Sequence, residues 1–218
     1  MARALAQVRK ATVTGAPLHS PAVPHEYDLR LAGPSDARAI AALHADSWRR
    51  HYRGVYSDAF LDGDVTIDRL AVWTDRLGRR DPRSCTMLAA DGSGLIGFAH
   101  TVFDEHPMWG ALLDNIHVAH TCQRRGVGSG VLVRIAEVVA GRPHRTGLYL
   151  WVNEQNVDAQ AFYQAHSARR VERAMSVPPG GVPGRLEGSP RKLRYAWDDP
   201  GALADAFGLM RASARQTR

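Results

Sequence analysis

Leu112-Leu113-Asp114-Asn115-Ile116-His117-Val118-Ala119-His120-Thr121-Cys122-Gln123-Arg124-Arg125-Gly126-Val127-Gly128-Ser129-Gly130-Val131-Leu132-Val133-Arg134-Ile135 decides how the rest of the chain is read. Leu112, Leu113, Ile116 and Val118 form a short run rich in apolar and β-branched residues, the pattern of a largely buried strand. From Ser129 onward Val131, Leu132, Ile135, Val138 and Val139 recur at spacings that put one apolar face on a helix. Between them lies a basic, glycine-bearing loop. The first N–H groups of a helix lack internal partners, and its dipole adds positive potential there, so an anion is favoured at such a place. Gly126 and Gly128 allow close approach or positive φ, and Arg124 and Arg125 supply charge-assisted donors. A phosphate or pyrophosphate site is inferred. It is not a P-loop, because Ser129-Gly130 stands where Lys-Ser or Lys-Thr is needed. Nor does it fit a dinucleotide fingerprint, whose third glycine falls on Val131.

The spacing instead resembles the Gln/Arg-x-x-Gly-x-Gly/Ala loop of the GNAT superfamily of acyl-CoA-dependent N-acyltransferases, matched by Gln123, Gly126 and Gly128. About thirty residues on, after a strand at Leu148 to Val152, Asn156-Val157-Asp158-Ala159-Gln160-Ala161-Phe162-Tyr163 resembles the family's Asn-x-x-Ala-x-x-Phe-Tyr segment. Asn156 suits an N-cap and Asp158 the first helical turn. Ser47-Trp48-Arg49 and Tyr52-Arg53-Gly54 are also similar to many bacterial members, so the resemblance spans roughly residues 27 to 175. It implies acetyl-CoA as acyl donor. Its pyrophosphate is then expected on Gln123, Arg124, Arg125, Gly126, Val127, Gly128 and Ser129, its pantetheine arm along Ile116, His117 and Val118, and a donor-arm hydrogen bond from Asn156. Tyr163 is by the same resemblance the acid that protonates the departing sulfur. A phenol with pKa about 10 keeps its proton at neutral pH.

The base is less defined. Some members carry a glutamate twelve residues before the tyrosine, where this chain has Trp151. Others carry an acid or histidine in the strand before the loop. Strand parity puts Asp114 on the face of Leu112 and Ile116, with Asn115 and His117 opposite. Asp114 is the first candidate, against a purely structural carboxylate. Glu154, just past a strand end, and Glu105, in the loop before the central strand, are alternatives. Trp48, Tyr52 and Glu105 are expected on the acceptor side, although core packing accounts for Trp48 nearly as well. A second departure is His166-Ser167-Ala168, where the family commonly shows Leu-Gly-Phe; it bears on how the helix after Asn156 ends.

The 218 residues, 44% hydrophobic and 23% charged, suit a soluble globular protein with no run of the ~18 apolar residues that a membrane helix needs. Net charge is +6, of which +3 comes from Arg3, Arg9 and Lys10 and +3 from Arg211, Arg215 and Arg218, leaving residues 26–210 formally neutral. That distribution argues against nucleic-acid binding through the body. Cys85 and Cys122 are too few for a disulfide framework and fit a reducing cytoplasm, and arginine-dominated basic usage hints at a GC-rich bacterial source. No metal centre is called for.

In chain order the expected elements begin with a strand at Tyr27 to Leu31 and a helix capped by Ser35 that reaches about Arg50. A short helix at Asp58 to Leu61 and another at Thr66 to Leu77 follow. Strands at Ser84 to Ala90 and Leu95 to Val102 then form a hairpin about Asp91-Gly92-Ser93-Gly94. Later strands are expected at Arg169 to Val177 and Leu193 to Trp197, with a glycine- and proline-rich loop between them and a helix from Ala202 to about Ala212. The fold class is α/β: a single GNAT-like domain whose mixed, mostly antiparallel sheet is flanked by helices. Residues 1–25 are expected to be a basic leader, 26–200 the N-acetyltransferase domain, and 201–218 a C-terminal helix and basic tail. The expected activity is direct transfer of acetyl to a primary amine of a small molecule or peptide; the alternative is a non-catalytic acyl-CoA-binding sensor. A homodimer through the last strand or helix is compatible with either.

Overall fold

The computed structural model describes residues 26–79, 81–143 and 147–206. Strands β1 (Asp28–Leu31), β2 (Ser84–Asp91), β3 (Gly94–His106), β4 (Gly110–Val118), β5 (Leu148–Asn153), β6 (Arg169–Met175) and β7 (Arg191–Trp197) form one sheet in the order β1-β2-β3-β4-β5-β7-β6. Every neighbouring pair is antiparallel except β4 with β5. That one parallel pair needs a crossover, and α4 (Val127–Ala140) supplies it. The other helices are α1 (Ala37–His51), α2 (Asp58–Asp62), α3 (Val65–Gly78) and α5 (Val157–Ala165), and residues 200–206 are also helical.

Alternation along the strands sorts side chains to two covered faces. On one, Val131, Leu132, Ile135, Ala136 and Val139 of α4 pack with Met87, Ala89, Leu113, Leu148, Leu150, Tyr195 and Trp197, joined by Tyr163 and by Leu203 of the 200–206 segment. On the other, Ile40 and Ala41 of α1 and Trp73 of α3 pack on Leu88 and Phe98. A third cluster, Ala45, Trp48, Phe60, Leu61 and Val65, ties α1, α2 and α3 together. Burying each large aliphatic side chain contributes about 1.5–3 kcal/mol relative to leaving it exposed.

Several expectations are corrected. Ser35 is no helix cap: Pro34–Asp36 is a 3-10 turn, Asp36 Oδ2 accepts from the Gly33 N–H at 2.8 Å, and α1 begins at Ala37. α4 starts at Val127, two residues before the expected Ser129, with Gly126 at φ 81° as its N-cap. β3 continues through Asp104, Glu105 and His106 to meet Gly110 opposite His106, so Glu105 lies in a strand and not in a loop. The irregular 176–190 connection docks on the helices, with Arg185 Nη1 bonded to Asp68 Oδ1 at 2.6 Å and Leu186 bridged to Tyr56. The leader and most of the expected last helix, Phe207 and Met210 included, lie outside the described residues.

Candidate active site

β4 and β5 pair at Ala111 with Leu148 and at Leu112 with Tyr149, and among the described residues nowhere beyond. From Leu113 onward the strands diverge, while β4 stays paired with β3 and β5 with β7. The result is a wedge whose β4 side presents main-chain N–H and C=O groups with no strand to meet them. An extended molecule bearing amides is the natural complement.

The wide end of this wedge leads to the glycine loop. After a 3-10 turn at His120–Cys122, Gln123 is extended, and Arg124 and Gly126 have φ of 59° and 81°. Gln123, Arg124 and Arg125 are exposed. Gly126 is the N-cap of α4 and, having no side chain, offers no cap to the first N–H groups of the helix. Gly130 makes room for an anchor. A Cβ there would lie 2.0 Å from the Tyr27 hydroxyl, which donates to the Gly126 carbonyl at 3.3 Å.

Asn156 caps α5 as expected, its Oδ1 accepting from the Ala159 N–H at 3.1 Å. Two turns along, Tyr163 is buried against Phe162, Tyr195 and Trp197. Burial first, then the nearby Tyr52 phenol, pushes its pKa above the ordinary tyrosine range, so it holds its proton at neutral pH. Tyr52 is pushed up to about 12, by burial first and then by Asp114. Tyr52 is thus within electrostatic reach of both Asp114 and Tyr163. The segment before α5 is tied to the one after α1, as Gln155 Nε2 donates to the Arg53 carbonyl at 2.7 Å. A hollow of about 270 Å³ between the end of α1 and the start of α5 is lined by Arg50, His51, Arg53 and residues 155–158.

The candidate bases are each engaged. Asp114 Oδ2 is 2.7 Å from Arg76 Nη1 of α3 and accepts from Asn115 Nδ2 at 2.6 Å. Its facing differs from strand parity. Thr101 pairs with Leu113 and His100 with Asn115, so Asp114 is the extra residue of a β-bulge. Beyond the bulge Ile116 and Val118 pack on the α4 side, while His117 turns to α1, its Nδ1 2.8 Å from Ser47 Oγ. Asp114 therefore shares a face with Leu112 and His117, not with Ile116. Glu105 accepts from the Tyr149 hydroxyl. Glu154 pairs with Arg173 at 2.7 Å, which directs it over β7 toward β6 and away from β4.

Other expected site residues are placed by packing. Trp48 is 6% exposed, edge-on to His44 and Tyr56, with the Arg69 guanidinium 4.3 Å from its ring centre. It is a core residue. His117 offers the wedge its main chain, since burial holds its ring near pKa about 3 and its Nδ1 is committed to Ser47. Ser129 Oγ is 3.0 Å from His166 Nε2, and His166 Nδ1 donates to the Phe162 carbonyl at 2.7 Å. Ser129 thus has its main-chain N–H for a ligand and its hydroxyl for α5. Arg76, Tyr149 and His166 are the partners that sequence reasoning missed. No spacing signals them, because each reaches its partner across elements distant in the chain. Cys122 is 6% exposed in the core and has no nucleophile's setting.

The model of the Acetyltransferase (GNAT) family matches residues 41–167. The chain belongs to that family. Among similar GNAT relatives are the uncharacterised N-acetyltransferase YuaI of Bacillus subtilis, 27% identical over 145 residues that cover 66% of this chain and 80% of YuaI. A probable N-acetyltransferase of Mycobacterium tuberculosis is 28% identical over 148 residues, covering 65% and 79% of the two chains. In fold, the chain is similar to PaiA N-acetyltransferase of Thermoplasma acidophilum, solved with coenzyme A, at TM-score 0.62 and 15% identity over 79% of this chain and all of that one. NAA60 of Arabidopsis thaliana, solved with a bisubstrate analogue, gives 0.58 and 18% over 79% and 97%. No helix among the described residues is long and apolar enough to cross a membrane.

Proposed function

We propose that this GNAT protein is a cytosolic N-acetyltransferase that takes acetyl-CoA along β4 and the start of α4 and passes the acetyl group directly to a primary amine of a small molecule or peptide. The observation that carries this reading is the wedge between β4 and β5 ending at a glycine-capped helix. An amide-bearing arm can complete the open edge of β4 from Leu113 to Val118, and the N–H groups of Val127, Gly128 and Ser129 can then meet a pyrophosphate, with Arg124 and Arg125 beside it. Asn156 holds the end of α5 against the arm. Coenzyme A bound to the PaiA relative agrees with this donor.

The chemistry needs a proton donor for the sulfur and an acceptor for the amine proton. Tyr163 fills the first role, since its burial keeps the phenol protonated until a thiolate forms beside it. Asp114 fills the second, directly or through water, with Arg76 and Asn115 fixing its orientation. Tyr52 and the Glu105–Tyr149 pair border the acceptor. Residues 26–200 form the transferase domain in this reading, with the 200–206 helix docked on it through Leu203. No covalent acyl-enzyme is required.

Calorimetry with acetyl-CoA tests the donor site. Binding is expected, and the double replacement Gly126→Asp with Gly128→Asp should abolish it by setting carboxylates against the pyrophosphate. Unchanged affinity in that variant overturns the reading. The engagement of Asp114, Glu105 and Glu154 favours a second reading, a non-catalytic acyl-CoA sensor. CoA release across a panel of primary amines separates the two, because turnover with any acceptor rules out the sensor.

A further inference from the structure

On the α1–α3 face of the sheet, a hollow of about 260 Å³ lies between the end of β1 and the 3-10 turn at Pro34–Asp36, the end of α3, the start of β2 and the middle of β3. Of the residues given a role above, only Arg76, which orients Asp114, lines it. Its floor is the His100 ring, whose Nδ1 is 2.8 Å from Thr86 Oγ1. Pro34 and Leu77 give it apolar walls, Ser84 contributes a hydroxyl, and Arg76 closes the side nearest β4.

The lining of the hollow carries one cation, Arg76, and one anion, Asp81. Asp81 at its rim is already satisfied by Arg83, with contacts of 2.9 Å to the main-chain N–H and 3.0 and 3.2 Å to the guanidinium. Burial lowers His100 to about 4, so its ring is neutral at pH 7. The remaining charge is that of Arg76, and it is incompletely satisfied. Its Nη1 lies 2.7 Å from Asp114 Oδ2 without hydrogen-bond geometry, and that buried nitrogen has no other partner. A planar guanidinium favours a two-pronged carboxylate contact, which the single approach of Asp114 does not give. Arg76 is therefore the partition between two spaces, with the candidate base on one side and an apolar-walled hollow on the other.

We propose that this hollow is a second ligand site, taking a small organic carboxylate with an apolar body, and that its occupant and Asp114 compete for Arg76. The occupant's carboxylate meets the guanidinium with Ser84 and His100 as neighbouring polar groups, and its body lies on Pro34 and Leu77. Drawing Arg76 toward the hollow releases Asp114 into the wedge, so the occupant reports to the acceptor side without entering it. The site stands independently of acetyl transfer.

Its test is binding alone. Benzoate is the probe, its neutral isostere benzamide the control, and calorimetry is run on the full chain at fixed ionic strength. Saturable benzoate binding is expected, with no binding of benzamide. Arg76→Gln removes the hook and Ser84→Phe fills the space, and each is expected to weaken benzoate about tenfold or more. Asp114→Asn removes the competitor and is expected to tighten benzoate about threefold or more. Thermal melts show which variants fold, and the Arg76→Gln and Asp114→Asn arms keep the test decisive if Ser84→Phe does not. Absence of saturable binding, benzamide binding as tightly as benzoate, indifference to Arg76→Gln, or no tightening in Asp114→Asn each overturns the proposal.

Discussion

Tyr163 carries the clearest expectation for a single side chain. Replacing it with Phe keeps the ring among Phe162, Tyr195 and Trp197 and removes only the hydroxyl. Turnover should fall about 10²-fold or more while acetyl-CoA affinity stays within about twofold. Wild-type turnover in Tyr163→Phe would remove the phenol from the chemistry. Ser167 offers a test of stability. It sits just past α5 with φ of 64°, a left-handed conformation that costs a residue with a Cβ about 1–2 kcal/mol, and it occupies the place where the family commonly has glycine. Ser167→Gly should raise the urea midpoint by an amount equivalent to about 1 kcal/mol, and an unchanged or lower midpoint would show that the strain is not there. The helix that carries Tyr163, and the Asn156 cap that starts it, were legible from the sequence. The facing of Asp114 was not legible. It depends on one extra residue in β4 relative to β3, a property of pairing between strands and not of either strand's alternation.

Among the elements, α4 does two jobs with two kinds of residue. Its glycine-bearing first turn leaves N–H groups uncapped, and its apolar stripe fixes the helix to the sheet. Ile135 is fully buried in that stripe, so Ile135→Ala should cost about 2–5 kcal/mol, read from urea unfolding. A loss under ~1 kcal/mol would mean that the stripe packs loosely. The apolar stripe of α4 could be read from spacing, as could the alternation of β7 and the extents of β2 and most of β3. The ends were harder. Ser35 looked like a cap because Ser before an apolar helix usually is one, but Pro34 and the Asp36 carboxylate bonded to Gly33 organise a 3-10 turn first. Glu105 looked like loop because Asp104, Glu105 and Pro107 are poor strand residues. The Tyr149 hydroxyl and the pairing of His106 with Gly110 hold the strand together past that point.

For the whole molecule, the response to acid is set by His44, His100 and His117, whose proton affinity the surrounding protein lowers. Burial lowers His44 well below the usual histidine range, His117 to about 3 and His100 to about 4. His44 accepts from Trp73 Nε1 at 3.0 Å, and its ring lies 4.5 Å from that of His117, so protonating either also opposes the other. The unfolded chain takes up protons near pH 6.5 while the folded one refuses them until pH 4 or below, so the stability they contribute is full above about pH 6.5 and falls as pH drops toward 4. Asp36, Asp62 and Asp81, lowered by their arginine partners, add to the loss only nearer pH 4. The urea midpoint should therefore drop between pH 7 and pH 5. A midpoint that is flat or rises over that interval would show that these rings are not held neutral.

The same wedge that suits a pantetheine arm also divides the sheet mechanically. Among the described residues, β1 to β4 and β5 to β7 are sewn together at two residue pairs, Ala111 with Leu148 and Leu112 with Tyr149, and the crossover α4 connects them. A bound arm that hydrogen-bonds to both banks would act as an eighth strand and join the two halves along their length. Amide deuterium uptake should then slow on saturation with acetyl-CoA at 113–118 and 150–153, on both sides of the seam at once, whereas a ligand held by the glycine loop alone would protect only the first turn of α4.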